Sequence, residues 1–188
     1  MMKKLILIML AWSFSATAQE FDSTAMNKVD GCMSGPTHEF GKYIGDWNIL
    51  ERRLDQDGKW TEHTGTKWNF KCVGNGIAVQ DYWLPANGTA GTNLRVYNPS
   101  TKSWDIAWTA TLTPGLARIN AVQHDNGNIV MHYVTEITPK RRITFFPPHK
   151  NGWAWQMEID LEGRGWTKVL ELIASNPEDN LLKSGLGR

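Results

Sequence analysis

Short runs of alternating apolar and polar residues follow one another along most of the chain, and turn-forming residues separate them about every 8–12 positions. Between residues 153 and 160, for example, each large apolar side chain is followed by Ala or by a polar residue. A period of two is typical of β-strands, because successive side chains point to opposite faces. Helical periodicity is missing from this region, so we expect antiparallel strands joined by short turns.

The pattern predicts ten strands, and some of the turns between them have strong hairpin sequences, such as Asp125-Asn126-Gly127. The predicted strands cover residues 46–54, 60–73, 77–84, 92–97, 103–109, 116–124, 129–136, 141–146, 153–160 and 166–173. So many antiparallel strands in an open sheet would leave exposed edges, which closure into a barrel removes. The predicted fold class is therefore all-β: an antiparallel up-and-down β-barrel of about 8–10 strands with a short N-terminal helical or irregular lead-in. A β-sandwich is the alternative.

The first residues of the chain have the three parts of a secretory signal peptide. Basic residues at positions 3 and 4 precede an apolar run at 5–14, and small residues at 16–18 form a cleavage site. The apolar run is too short to span a membrane. We therefore expect a secreted or periplasmic protein that is cleaved near Ala18. The predicted division of the chain is a signal peptide at 1–18, a lead-in at 19–39 with helical turns from Ser23 to Val29, a barrel domain at 40–174 and a flexible tail at 175–188.

Two cysteines, Cys32 and Cys72, form an even set. In an oxidising compartment an even number of cysteines favours a disulfide. Such a bond would stabilise the fold by about 4 kcal/mol, chiefly by restricting the unfolded chain, and would attach the lead-in to the barrel wall. Two separate buried thiols are the alternative. A zinc site is not expected, because no histidine pair near the cysteines has the spacing of zinc ligands.

The charge of the chain is nearly balanced, with 20 basic and 19 acidic residues and a formal net charge of +1. Nothing in this balance points to a nucleic acid or to a membrane surface as partner. The densest basic segment, Lys140-Arg141-Arg142, is interpreted as a solvated turn. The sequence has no G-x-S-x-G motif, phosphate-binding loop or pattern of metal ligands, so we expect no cofactor or metal and assign no catalytic residue. The sequence does not indicate the oligomeric state.

The candidate pocket residues are tryptophans and charged side chains that alternation places on inward faces. The chain contains ten tryptophans, and aromatic rings suit the walls of a pocket. Asp81, Glu51 and Arg118 each share a face with apolar residues, and a buried charge needs a partner, so Asp81 or Glu51 would pair with Arg118 or Arg95. A slip of one residue in the face assignment would place these charges outside. The candidate ligand-binding residues are Trp68, Asp81, Trp83, Arg95, Trp108, Arg118, His132, Trp155 and Met157.

The segment Gly45-Asp46-Trp47 resembles the G-x-W motif that opens the first strand of lipocalins. The longer stretch 40–174 resembles a group of uncharacterised, secreted, mostly bacterial lipocalin-like proteins, through this motif, the segment 91–104 and the paired tryptophans at 153 and 155. The expected number of strands is also similar to that of the fatty-acid-binding and nitrobindin-like barrels. The resemblance implies a calycin-type barrel that encloses a pocket, and it implies no reaction.

Three functions fit a barrel of this kind. The preferred hypothesis is a protein that binds a small hydrophobic or amphipathic molecule in its interior, since mostly apolar pockets with a few polar groups are the usual ligand sites. An enzyme with acid/base chemistry of the isomerase or hydratase type would need Asp81 or Glu158 beside His132 in one pocket. The third hypothesis is a filled barrel whose rim binds another protein.

Overall fold

Ten antiparallel strands, each hydrogen-bonded to the next one along the chain, form a closed barrel because the last strand also pairs with the first. The computed structural model describes residues 29–162 and 165–177. The expected signal peptide, the helical turns expected from Ser23 and most of the expected tail therefore lie outside the described residues. The strands are β1 Gly45–Leu54, β2 Trp60–Val73, β3 Ala78–Leu84, β4 Gly91–Asn98, β5 Ser103–Ala110, β6 Thr113–Gln123, β7 Ile129–Tyr133, β8 Arg141–Phe145, β9 Gly152–Leu161 and β10 Gly165–Ser175.

The closed up-and-down barrel is confirmed, and the sandwich alternative is excluded. β2 has the predicted bounds, and most other strands differ from prediction by one or two residues. β7 ends earlier than predicted, at Tyr133, because the backbone N–H groups of Val134 and Thr135 both donate to the carbonyl of Arg118, and the regular ladder stops there. β6 begins earlier than predicted, at Thr113, since its ladder with β5 continues past a bulge.

The lead-in has 3-10 turns at Asp30–Cys32 and Gly35–Thr37 and a four-residue helix, α1, at His38–Gly41. We call residues 30–44 the plug, because they close one end of the barrel. Phe40 and Tyr43 of the plug are fully buried. The ring centroid of Phe40 lies 4.9 Å from that of Trp104, and the ring of Tyr43 lies 5.2 Å from that of Trp153. Each such aromatic pair adds about 0.5–1.5 kcal/mol beyond the area it buries, so these rings hold the plug against the strand ends.

Polar contacts and a disulfide also hold the plug in place. Cys32 and Cys72 are bonded, with Cα atoms 5.9 Å apart, as the sequence predicted. Glu39 accepts a hydrogen bond of 2.8 Å from the indole N–H of Trp104. The hydroxyl of Tyr43 donates a hydrogen bond of 2.9 Å to the backbone carbonyl of Phe146, the residue that follows β8. Within the described ranges, the helical segments lack the length and hydropathy that a membrane span needs.

Trp47 of the Gly45-Asp46-Trp47 segment belongs to this closed end. Its indole N–H donates to the carbonyl of Tyr43 at 2.9 Å. Its ring centroid lies 6.0 Å from that of Trp153. The segment therefore joins the plug to β1 at the point where the barrel begins.

The inward face predicted for β6 is wrong by one residue. Ile119 and Ala121 are buried in the barrel, whereas Arg118 is exposed and Leu116 is 71% exposed. Ala121 lies opposite Trp104 in the β5–β6 register, and its small side chain leaves room for the indole in a close-packed interior. Arg118 is therefore corrected to the outer surface.

Candidate functional site

A cavity of about 220 Å³ lies inside the barrel, and its mouth is at the end opposite the plug, where the lining residues Arg53 and Arg141 are exposed. Its aromatic lining residues are Trp68, Trp83, Trp108, Tyr133, Phe145 and Trp155, and its aliphatic and sulfur-containing ones are Ile119, Met131, Ile143, Met157, Leu170 and Leu172. The polar lining residues are Arg53, Asn93, Arg95 and Arg141. A mostly apolar wall with a few polar groups is the usual form of a small-molecule site.

Trp68 is at the centre of the aromatic part of the wall. Its ring centroid lies 5.0 Å from that of Trp83 and 6.2 Å from that of Trp155, in edge-to-face arrangements. This geometry is favourable because the positive ring edge meets the negative face of the neighbour. The indole N–H of Trp68 is buried and has no acceptor in the described part of the chain.

Trp108 takes its place in the wall because residue 91 is a glycine. Gly91 is buried and lies opposite Trp83 in the β3–β4 register. A Cβ atom at Gly91 would overlap the six-membered ring of Trp108. The missing side chain therefore allows the indole to lie against β4 and shape the cavity.

A buried ion pair between Asp81 and Arg95 lies at the end of the cavity nearest the plug, which we call the floor. Both side chains are fully buried. Asp81 accepts hydrogen bonds from Arg95 Nη2, from the backbone N–H of Asn93 at 3.1 Å and from Asn93 Nδ2 at 3.1 Å. These donors satisfy the carboxylate, which a buried charge requires. The predicted pairing of an inward Asp81 with Arg95 is therefore observed.

Arg95 also lies among three aromatic rings. Its guanidinium carbon is 4.8 Å from the ring centroid of Phe40, 5.1 Å from that of Phe70 and 5.8 Å from that of Phe145. Cations are attracted to the faces of such rings, more strongly when they are desolvated. Nε and Nη1 of Arg95 have no hydrogen-bond acceptor in the described part of the chain. The pair therefore joins the plug, through Phe40, to the floor of the cavity.

Glu51 is the second buried carboxylate of the interior, with 3% of its side chain exposed. Its inward position is as the face assignment predicted. Its partners are Arg53, on the same strand, and the hydroxyl of Thr66 on β2. Arg53 is half exposed and lines the cavity, so this pair brings a neutralised cation to the mouth.

Tyr133 and Arg141 form the other side of the mouth. Burial raises the pKa of Tyr133, and the charge of Arg141 and a hydrogen bond with it oppose this increase. The hydroxyl of Tyr133 is therefore protonated at neutral pH. Arg141 makes no ion pair with any residue that the structure describes. Both residues also line a surface groove beside the mouth.

Six of the nine candidate ligand-binding residues line the cavity: Trp68, Trp83, Arg95, Trp108, Trp155 and Met157. Asp81 lies behind this wall, where it holds Arg95. Arg118 and His132 are exposed on the outer surface and do not reach the cavity. Their part in ligand binding stays a prediction that the geometry does not favour.

His132 lies outside because β7 buries alternate residues. Ile129 and Met131 are buried, and His132 is opposite Arg142 on the outer face. Partial burial, followed by the charges of Arg142 and His124, lowers the pKa of His132. Asp81 and His132 therefore lie on different sides of the barrel wall, and this pairing, one of the two considered for an enzyme, does not share a pocket.

Glu158 and His132, the other pairing considered, both lie on the outer face, each opposite Arg142 in the strand register, so neither reaches the cavity. Glu158 forms an ion pair with Arg142, whose Nε is 2.9 Å from its carboxylate. Among the residues that the structure describes, no three His, Cys, Asp or Glu side chains are grouped as metal ligands.

Sequence reasoning missed Tyr133 and Arg141 at the mouth. A usable signal was the alternation along β8, where Arg141, Ile143 and Phe145 share one face. Ile143 is opposite Met157 in the β8–β9 register, so Arg141 belongs to the face that contains this candidate residue.

Comparison with known proteins supports the fold alone. No family model and no curated protein matches the chain. Among solved structures, the chain is similar to the S-type phycobiliprotein lyase CPES from Guillardia theta, with a TM-score of 0.52 and 12% sequence identity. The similarity covers 80% of this chain and 96% of the lyase. At so low an identity it shows a shared barrel fold, and membership of the lipocalin-like group stays a prediction.

Proposed function

We propose that this protein binds a small hydrophobic or amphipathic molecule inside its barrel. The observation that carries the proposal is the cavity between the plug and the mouth, which is lined mainly by Trp, Met, Ile and Leu. Transfer of apolar ligand surface from water into such a wall contributes about 25 cal/mol per Å². The cavity also argues against the filled interior on which the protein-interaction hypothesis depends.

The size of the cavity limits the ligand. At about 220 Å³ it lies below the range of about 300–1,000 Å³ that is usual for small-molecule sites. The floor of the cavity contains the buried Asp81–Arg95 pair, and the plug is covalently attached to β2. A compact ligand therefore suits the cavity better than a large one.

The proposed location is outside the cytoplasm, in the periplasm or the secreted fraction. The signal-peptide pattern at residues 1–18 motivates this proposal, and the Cys32–Cys72 disulfide supports it. Disulfides persist mainly in oxidising compartments. Fractionation of cells that express the full chain tests the location, and retention of residues 1–18 on a cytoplasmic product would contradict it.

Titration of intrinsic tryptophan fluorescence tests the binding function, because four tryptophans line the cavity. The panel contains medium-chain alcohols and acids, isoprenoid alcohols and compact aromatic compounds. We expect saturable changes with at least one class. Complete lack of response across the panel would contradict the proposal.

A cavity-filling variant shows whether the response comes from the barrel interior. Ile143→Phe adds volume at a lining position that is 5% exposed, and we expect it to weaken binding at least tenfold. Leu94→Phe is the matched control, because Leu94 lies on the outer surface and is 41% exposed. Equal affinity of the two variants for the ligand would place the binding site outside the cavity.

A further inference from the structure

We propose that Arg141 and Tyr133 form an anion site at the mouth of the cavity, so that the ligand is an amphipathic acid. Its carboxylate would contact these two side chains, and its apolar body would lie among the tryptophans. This inference rests on the proposed binding function and adds the chemical class of the ligand.

The first argument for an anion site is the charge balance of the cavity wall. Three arginines line the cavity, and no carboxylate does. Arg53 is paired with Glu51, and Arg95 with Asp81. Arg141 has no such partner within the described residues, although a guanidinium beside an apolar cavity is well suited to a carboxylate. The cation at the mouth is therefore available to a ligand.

No neighbouring carboxylate in the described part of the chain forms an ion pair with Arg141. Glu136, Asp160 and Glu162 line the adjoining groove. None of these three carboxylates approaches Arg141 within the 4.0 Å of an ion pair. They lie on the groove side of the mouth, and the cavity side contains apolar residues and the paired arginines.

Tyr133 supplies a second donor beside Arg141. The register of β7 and β8 places Met131 opposite Ile143 and His132 opposite Arg142, so Tyr133 and Arg141 are the next pair toward the mouth. The charge of Arg141 and hydrogen bonding to it oppose the rise that burial causes in the pKa of Tyr133, which places the two side chains close together. The partly buried phenol remains protonated, so its O–H can donate to one carboxylate oxygen while the guanidinium donates to the other.

The strand geometry determines where the apolar body lies. From Arg141 to Phe145, β8 rises by about 13 Å, because a strand advances roughly 3.3 Å per residue. Ile143 and Phe145 follow Arg141 on the same face, and both line the cavity. A ligand with its carboxylate at Arg141 would thus bring its apolar part down to the aromatic wall.

Matched pairs of probes test the anion site. The pairs are decanoic acid with 1-decanol, and 3-phenylpropionic acid with its methyl ester, titrated at pH 7 with tryptophan fluorescence as the readout. We expect the acid of at least one pair to bind about tenfold or more tightly than its neutral partner, as a charge-assisted hydrogen bond would give.

Variants on the same strands supply the controls. Arg141→Gln should weaken binding of the acid about tenfold or more and leave the neutral partner unchanged. Arg142→Gln is the matched control, because Arg142 faces outward and pairs with Glu158. Tyr133→Phe should cause a smaller loss for the acid alone, and Tyr82→Phe on the outer face should cause none.

The outcomes separate this inference from the proposed function. Saturable binding of both members of each pair with equal affinity, unchanged in Arg141→Gln, would overturn the anion site and leave the binding function standing. Equal losses in Arg141→Gln and Arg142→Gln would also overturn it. No saturable response to any of the four probes would overturn the anion site, and a lack of response across the whole panel of the previous section would overturn the binding function as well.

Discussion

Asp81→Asn removes the negative member of the buried pair beneath the cavity and leaves the positive member in place. Asn has nearly the same shape as Asp, so the substitution opens no cavity. It leaves the guanidinium of Arg95, which is fully buried, without a counter-ion. Because an unpaired buried charge is strongly unfavourable, the variant should unfold more easily than the parent protein.

The surroundings of Arg95 set the size of the effect. Breaking a buried ion pair costs about 3–5 kcal/mol. The rings of Phe40, Phe70 and Phe145 remain around the guanidinium, and one desolvated cation–π contact contributes about 2 kcal/mol. These rings compensate in part for the lost carboxylate. We therefore expect the free energy of unfolding to fall by about 3 kcal/mol, the lower end of the range.

Urea unfolding with the disulfide intact measures this change. With a urea dependence of about 2 kcal/mol per M, a loss of about 3 kcal/mol moves the midpoint down by about 1.5 M. Asp105→Asn is the matched control, because Asp105 is exposed on β5 and such surface changes stay within about 0.5 kcal/mol. The double variant Asp81→Asn, Arg95→Met should be more stable than Asp81→Asn alone, since it also removes the uncompensated charge.

Three results would refute this reasoning. A loss below about 1 kcal/mol in Asp81→Asn would mean that the carboxylate does not compensate the buried guanidinium. A double variant no more stable than Asp81→Asn would mean that the unpaired charge is not the cause of the loss. Equal losses in Asp81→Asn and Asp105→Asn would lead to the same conclusion.

Three further predictions concern the plug and the cavity wall. Replacing Cys32 and Cys72 by Ser should lower the free energy of unfolding by roughly 4 kcal/mol. A loss below about 1 kcal/mol in urea unfolding would show that the disulfide does not stabilise the fold in this way. Gly91→Ala should displace Trp108 and weaken ligand binding, and unchanged affinity and tryptophan emission would show that the wall adapts. Burial raises the pKa of Tyr43, so its contribution to stability is complete below pH of about 10, where the unfolded tyrosine begins to ionise, and is lost as the pH rises further. Urea unfolding at pH 8–11 should therefore show a shallower decline in Tyr43→Phe, and parallel curves would contradict this.

The strands were predictable because each of them has one face in a packed interior. In β9, for example, Trp153 and Trp155 are buried, and Ala154 between them is less so. A slip of one residue there would move the whole apolar set to the outside. Alternation is therefore a strong constraint wherever the two faces of a strand differ clearly.

β6 shows where this constraint is weak. Its two faces contain similar apolar residues, with Leu116 and Val122 on one face and Ile119 and Ala121 on the other. The correct choice depends on the indoles of β5 that lie opposite Ala121 and its neighbours. Such a contact depends on how two strands pack together, and the pattern of apolar residues in a single strand gives no information about this packing.

The mouth was not predicted for a related reason. Arg141 and Arg142 are adjacent cations near a hairpin, and such a segment is typical of a solvated turn. In the barrel their side chains point to opposite sides of the wall, with Arg141 at the cavity and Arg142 beside Glu158. The plug was equally hard to foresee, because its rings come from a four-residue helix and the turn after it, which are too short to show periodicity.

The pairing of β1 with β10 has a practical consequence for handling the molecule. An up-and-down barrel with an even number of strands returns to the end where it began, so the chain enters the barrel at Gly45 and leaves it at Ser175 on the plugged side. A linker fused beyond either point therefore approaches from the side away from the cavity. Protein attached to a sensor surface in this way would present its mouth to the solution, and the attachment would not compete with ligand entry.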